Sequence, residues 1–296
     1  MAQKHIRHWK IGAVDVFRIV EIHAECVDDS IMFQDCGAER VQRHAWLAPR
    51  YATPDGRIML NFQAFAVKAG DRHIMVDTCV GNDKHRLAPI FNHLRTSFLE
   101  DLASVGFDAE RVDTVLCTHL HLDHVGWNTR LVAGRWVPTF PNARYLFSRK
   151  EWEFIHGLVN VPGAEVDHLP DSLQPVLDAG LIDFVDGDHR VTPELELVPT
   201  PGHTPGHVSV HISSQGHEAV ITGDVMHHPV QCAEPALKTN FCADHEQSQR
   251  TRREFLERCG DRRTYVIGSH FCEPTAGWIV RDGDAWRFDG DESGSG

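Results

Sequence analysis

The chain has 296 residues, 42% of them hydrophobic, with 29 basic and 42 acidic side chains giving a formal net charge of -13. That supplies a large core for one domain, while the acidic balance excludes a broad footprint for phosphate backbones, so nucleic acid is not an expected partner. The 8 cysteines include no C-x-x-C pair and suggest no disulfide framework. With neither a signal-peptide-like apolar start nor a run of roughly 18 apolar residues, a cytoplasmic protein with no membrane partner is the expectation.

Residues 11–22 alternate as a strand, and 61–67 with 73–76 read as a hairpin around Ala69-Gly70-Asp71. Leu94, Phe98, Leu99 and Leu102 have helical spacing, stop at Gly106 and lead into an apolar strand over 112–117. Directly after it, Thr118-His119-Leu120-His121-Leu122-Asp123-His124 packs four metal-capable side chains into six residues. Chance would place such a pattern in roughly one per cent of chains of this composition, and it reads as half of a two-metal site.

Helices are expected over 150–156 and 173–179, and strands over 194–198, 208–212 and 219–222. A helix over 247–259 precedes a strand over 264–267, and a last hairpin pairs 278–281 with 285–288 around Asp282-Gly283-Asp284. Three of these β segments have ligand-type residues at their exits: His203 in Thr200-Pro201-Gly202-His203, Asp224 after Ile221-Thr222-Gly223, and His270 after Ile267-Gly268-Ser269. Loops beyond strand ends can bring distant residues to one place because a rigid scaffold positions them. Residues 289–296 are acidic and Gly/Ser-rich and read as a disordered tail of the kind cloning leaves behind, so one catalytic domain is expected over 1–288. Periodicity alone gives an α/β or α+β chain.

On these motifs the chain resembles the metallo-β-lactamase-fold hydrolases, over about residues 11–288. The resemblance implies an α+β, four-layer αββα sandwich. It implies that His119, His121 and His203 hold one metal ion, that Asp123, His124 and His270 hold another, and that Asp224 bridges them. It also places Asp77, in Ile74-Met75-Val76-Asp77-Thr78, behind the histidines, where a carboxylate fixes a ligating imidazole's tautomer. The ligand types suit two divalent ions, zinc by default, with iron, manganese or cobalt compatible. Two such ions about 3.5–4 Å apart share a water and present hydroxide at neutral pH, which implies metal-assisted hydrolysis. Asp123 has a second reading as a proton shuttle.

Asp224 separates the chain from the true β-lactamases, which lack the bridging aspartate, and aligns it with lactonases, glyoxalase-II-like thioesterases and phosphotriesterase-like enzymes. His121 stands where diiron oxygen-reducing relatives carry glutamate, so hydrolysis is preferred to the redox chemistry of a non-haem iron protein. Acyl-homoserine lactonases carry a tyrosine three residues after the bridging aspartate; here that residue is His227, and His227 or His228 is expected to donate a hydrogen bond to the carbonyl or leaving oxygen in its place. His207 reads as a polar residue at a strand start rather than as an eighth contact. The loops over 24–58 and 225–246 are long enough to be lids. With Trp127 and Phe271 beside the motifs, the expected pocket is apolar and aromatic, lined by Met32, Phe33, Trp127, His228 and Phe271. The expected reaction is cleavage of a neutral small-molecule lactone or carboxylic ester. The alternative is an organophosphate triester or aryl ester, and a thioester is less favoured. A homodimer is compatible with the sequence.

Overall fold

The computed structural model describes residues 6–27, 29–164 and 166–293. The first half of the chain builds a seven-stranded sheet from β1 (Ile6–Ile11), β2 (Val14–Val27), β3 (Ile58–Ala69), β4 (Arg72–Val76) and β5 (Thr114–Leu116). After a separate two-stranded hairpin, β6 (Thr129–Val132) and β7 (Arg135–Pro138), the sheet is completed by β8 (Arg144–Ser148) and β9 (Ile182–Val185). The second half builds a six-stranded sheet in simple chain order: β10 (Leu195–Pro199), β11 (Val208–Ser214), β12 (His217–Ile221), β13 (Tyr265–Ile267), β14 (Ala276–Asp282) and β15 (Ala285–Gly290).

Side-chain alternation along the central strands creates the layers. In the first sheet Ile74, Val76, Leu116 and Leu146 face the second sheet, meeting Leu197, Val210, Ile221 and Ile267 in a shared core. Their neighbours Met75, Val115, Tyr145 and Phe147 face the other way, onto Phe98, Leu102 and Ile155 from the helices Phe98–Ser104 and Arg149–Gly157. On the far side Val220, Val266 and Ile279 pack against Phe255, Leu256 and Cys259 of the helix His245–Arg262. Strands covered on both faces read as unbroken apolar runs, which is why residues 112–117 were recognisable. The layers are helix, sheet, sheet, helix, the expected α+β sandwich. Among the described residues, no helix is long and apolar enough to cross a membrane.

Several expectations need correction. The strand expected over 11–22 is the second arm of a hairpin that turns at Gly12, with φ of 57° and Ile11 paired to Val14. Basic residues on β1 hid its alternation. The hairpin of β6 and β7, and strands β8 and β9, were not expected at all. At the other end β15 runs through Gly290, and Asp291 is buried, accepting a hydrogen bond from the Tyr265 hydroxyl at 3.0 Å. The first residues of the presumed tail are therefore ordered, and 294–296 lie outside the described residues. The loop expected as a lid over 24–58 contributes Phe33, Val41, Leu47 and Tyr51 to the core outside the second sheet, alongside Val225, Met226, Val230 and Leu237 from the other long loop. These residues pack down instead of forming a mobile cover.

Candidate metal centre

Each sheet contributes one pair of parallel strands ending in register: Val76 lies opposite Leu116, and Ile221 opposite Ile267. Counting three residues onward gives His119 after Leu116, Asp224 after Ile221 and His270 after Ile267. Asp77 follows Val76 directly. Backbone bonds tie the sheets together at this edge: Val208 N–H donates to Thr118 O at 3.0 Å and Asn61 N–H to His270 O at 3.0 Å. Two glycines permit the close approach. A Cβ on Gly126 would stand 1.8 Å from Val80 O, and Gly202, at φ +130°, would place one 2.3 Å from Ser248 N.

Two clusters result. His203 Nε2 lies 3.2 Å from His119 Nε2 and 2.9 Å from His121 Nδ1, and those two nitrogens are 3.0 Å apart. Alongside, His124 Nε2 and His270 Nε2 are 3.2 Å apart, with Asp123 Oδ2 at 3.6 and 3.7 Å from them. Asp224 faces both: Oδ1 is 3.4 Å from His124 Nε2 and 3.1 Å from His270 Nε2, while Oδ2 is 3.7 Å from His119 Nε2 and 3.4 Å from His203 Nε2. The structure brings all seven residues together.

The outward nitrogens are fixed from behind. Asp77, at φ 59°, turns its carboxylate back so that Oδ2 meets His124 Nδ1 at 2.8 Å and Oδ1 accepts Thr118 N–H at 2.7 Å. The Thr118 hydroxyl donates to Asp77 and lies 3.2 Å from His119 Nδ1. His270 Nδ1 meets Asn61 O at 2.8 Å, and Cys242 Sγ is 3.6 Å from His203 Nδ1. His207 Nε2 accepts the Asp224 N–H at 2.7 Å, so it positions the backbone of Asp224.

Burial holds His119 and His203 well below the usual imidazole range and His121 down to about 4. The rings of this cluster are therefore neutral, and with the outward nitrogens of His119 and His203 facing Thr118 and Cys242, their Nε2 atoms converge with His121 Nδ1 on one point. In the other cluster burial acts the same way but is outweighed: Asp224, Asp123 and Asp77 raise His124 well above its ordinary value, and Asp224 raises His270. Burial opposes ionisation of Asp224, yet His124, His270 and the other rings hold it well below the carboxylate range. Converging lone pairs and a buried carboxylate whose Oδ1 lacks a hydrogen-bond donor among the described residues fit divalent cations, which require deprotonated ligands. Imidazole and carboxylate donors without thiolate match first-row metals.

Comparison with known proteins agrees. The family model of the metallo-beta-lactamase superfamily matches residues 63–270. The chain belongs to this superfamily. The superfamily fold implies divalent metal ions, and the clustered histidines and aspartates are groups able to bind them. An N-acyl homoserine lactonase from Bacillus sp is 31% identical over 114 residues, covering 38% of this chain and 38% of that protein; the match thus spans well under half of the curated relative's length. Two solved structures share the superfamily fold. AbOPH, described as a hydrolase in the beta lactamase superfamily, has a TM-score of 0.81 at 20% identity, with 99% of each chain covered. AidC, described as a dizinc quorum-quenching lactonase, has a TM-score of 0.76 at 22% identity, with 97% of each chain covered.

Within this superfamily fold the expected pocket wall requires correction. Trp127 is buried, its ring stacked on Phe98 at 5.6 Å and its Nε1 donating to Glu21 Oε1 at 2.6 Å. Met32, Phe33 and Phe271 belong to the core outside the second sheet, Phe271 packing on Phe288 at 5.0 Å. His228 is locked by Nε2 donating to Tyr51 O at 2.7 Å and Nδ1 accepting Val230 N–H at 3.1 Å. The apolar group beside the cage is Phe62, 5.2 Å from the His270 ring and 4.8 Å from Phe91. No local pattern marks Phe62, which reaches His270 through tertiary packing. His227 does reach the cage: it is buried, with Nε2 3.1 Å from Asp224 Oδ2. His121, Leu122 and Asp123 are only partly covered, so solvent reaches the cage along that segment.

Proposed function

We propose that this protein is a dinuclear hydrolase that opens a lactone or cleaves a carboxylic ester. The observation that carries the reading is the division of Asp224, one oxygen toward each cluster. His119, His121 and His203 would hold one ion, Asp123, His124 and His270 the other, with Asp224 shared and zinc the default metal. Ions held there would supply Lewis acidity, bringing the pKa of water toward neutrality and polarising the oxygen under attack. Asp123, the cage carboxylate nearest solvent with 17% of its side chain exposed, accepts or passes on the proton. His227 offers Nε2 to the carbonyl or leaving oxygen from beside Asp224, while Phe62 and Phe91 supply an apolar wall for the acyl or ring carbons.

The lactone reading is supported by the relative named N-acyl homoserine lactonase. His227, in the position where those lactonases carry tyrosine, favours keeping aryl esters and phosphotriesters as a second reading, since one cage of this kind can serve attack on carbon or phosphorus. The test is a panel of lactones, aryl esters, phosphotriesters and thioesters offered to the zinc-, manganese- and cobalt-loaded protein, ranked by kcat/KM. Highest efficiency on a lactone or carboxylic ester is expected. A preference for phosphotriesters would replace the reading, and full activity in verified metal-free protein would remove it.

A further inference from the structure

Leu120 separates two histidines of the cage and turns its side chain into the helix-side core. Its backbone is held at both polar atoms. The Leu120 N–H donates to Glu151 Oε2 at 3.3 Å, and the Leu120 carbonyl accepts from His168 Nε2 at 2.8 Å. The second Glu151 oxygen, Oε1, accepts the Gly206 N–H at 2.7 Å, on the loop that carries His203. Glu151 and His168 are each 1% exposed, and neither belongs to the cage.

We propose that Glu151 and His168 are positioning residues that set the metal affinity of the three-histidine cluster by clamping the peptides on either side of Leu120. The inference rests on reading those histidines as ligands. The N–H of Leu120 lies in the peptide joining it to His119, and its carbonyl lies in the peptide joining it to His121. Fixing both atoms fixes two peptide planes, one flanking each histidine, and so restricts how far the Cα–Cβ directions of both can turn. The same carboxylate reaches across to the His203 loop, so one buried group links the segments bearing all three rings. Glycine is required for that approach: a Cβ at 206 would stand 2.7 Å from Glu151 N and from Ser148 Oγ. Burial pushes the Glu151 carboxyl up to about 6 against the pull of its donors, leaving an ionised acceptor at neutral pH. Burial pushes His168 down to about 4, leaving a neutral ring whose proton belongs on Nε2, opposite the carbonyl. The clamp does not touch Asp123, His124 or His270, so its effect should be one-sided.

The test is chelator competition on the folded, cobalt-loaded protein, with release from the two clusters distinguished by their absorption. Glu151→Gln replaces one acceptor with an amide N–H facing a backbone N–H, and His168→Ala deletes the donor. Each should weaken the three-histidine cluster about tenfold, as loss of an orienting partner does, and leave the other cluster within about twofold. His168→Gln, whose amide can still donate to Leu120 O, should restore most of the affinity. Parallel weakening of both clusters, or unchanged affinity in variants with native circular dichroism and melting, would overturn the proposal. If Glu151→Gln fails to fold, the comparison of His168→Ala with His168→Gln decides. A wild-type protein that binds no metal would instead remove the ligand reading on which the clamp depends.

Discussion

The three-histidine cluster and the Asp123–His124–His270 cluster share Asp224 but differ in what stands behind their rings. Behind His119 and His203 are weak or neutral groups, the Thr118 hydroxyl and the Cys242 thiol, and burial keeps all three rings uncharged. Behind His124 is the Asp77 carboxylate, and with Asp123 and Asp224 alongside, that cluster draws positive charge strongly enough to reverse the effect of burial. One half is organised by geometry and the other by charge. Losing a backbone clamp should therefore harm the first half, and losing a facing charge or adding competing protons should harm the second.

The largest expected effect ignores this division. Asp224→Ala removes the shared carboxylate and should lower kcat/KM at least about a thousandfold, because activation of water by the metals is lost. Steady-state kinetics on the best substrate of the panel, with metal analysis, checks it; retained activity would show that the clusters work independently. Next, His227→Ala should reduce kcat about a hundredfold with KM nearly unchanged if Nε2 acts on the reacting oxygens. An equal rise in KM would instead make it a binding residue.

Asp77→Asn sharpens the contrast. The amide keeps one oxygen for Thr118 N–H but loses the charge facing His124. Affinity at the Asp123–His124–His270 cluster should fall tenfold to a hundredfold, as expected for an outer partner, while the three-histidine cluster holds. The reverse order would break the comparison.

Acidification should separate the clusters without mutation. His124 and His270 are raised above 6.5, so protons compete for their nitrogens as pH falls toward that value, whereas His121 resists until about 4. Metal release followed across pH should show two steps, the first from the carboxylate-backed cluster. A single step would contradict the assignment. The smallest effect concerns the fold itself. Burial holds His228 at about 4, below its value of 6.5 when free. The folded form then refuses a proton that the unfolded chain accepts. Its contribution is complete above pH 6.5 and is lost as pH falls toward 4, amounting to at most about 3 kcal/mol. Urea midpoints measured across that range should decline, and a flat profile would show that His228 is freely protonated when folded.

The cage was legible because its chemistry sits where strands end. Apolar runs announced β5, β12 and β13; parallel register aligns Asp224 with His270 within one sheet, and stacking of the two sheets brings His119 to them. The pocket was not legible by the same logic. Phe271 was expected to face substrate because it follows His270, but adjacent side chains near a strand exit diverge, and Phe271 turns into the core. Trp127 and His228 are likewise held by partners remote in sequence, Glu21 and Tyr51. Glu151 and His168 act on backbone atoms, which carry no residue signature, so no spacing rule could mark them. Strands β8 and β9 escaped because they are short and carry charged residues, Arg144 and Asp183, paired across the edge of the sheet.

The central claim is best tested by anomalous diffraction from crystals of the metal-loaded protein. Two ions are expected, one among His119, His121 and His203 and one among Asp123, His124 and His270, with an oxygen of Asp224 directed at each. A single ion, or ions bound away from these seven residues, would contradict the account.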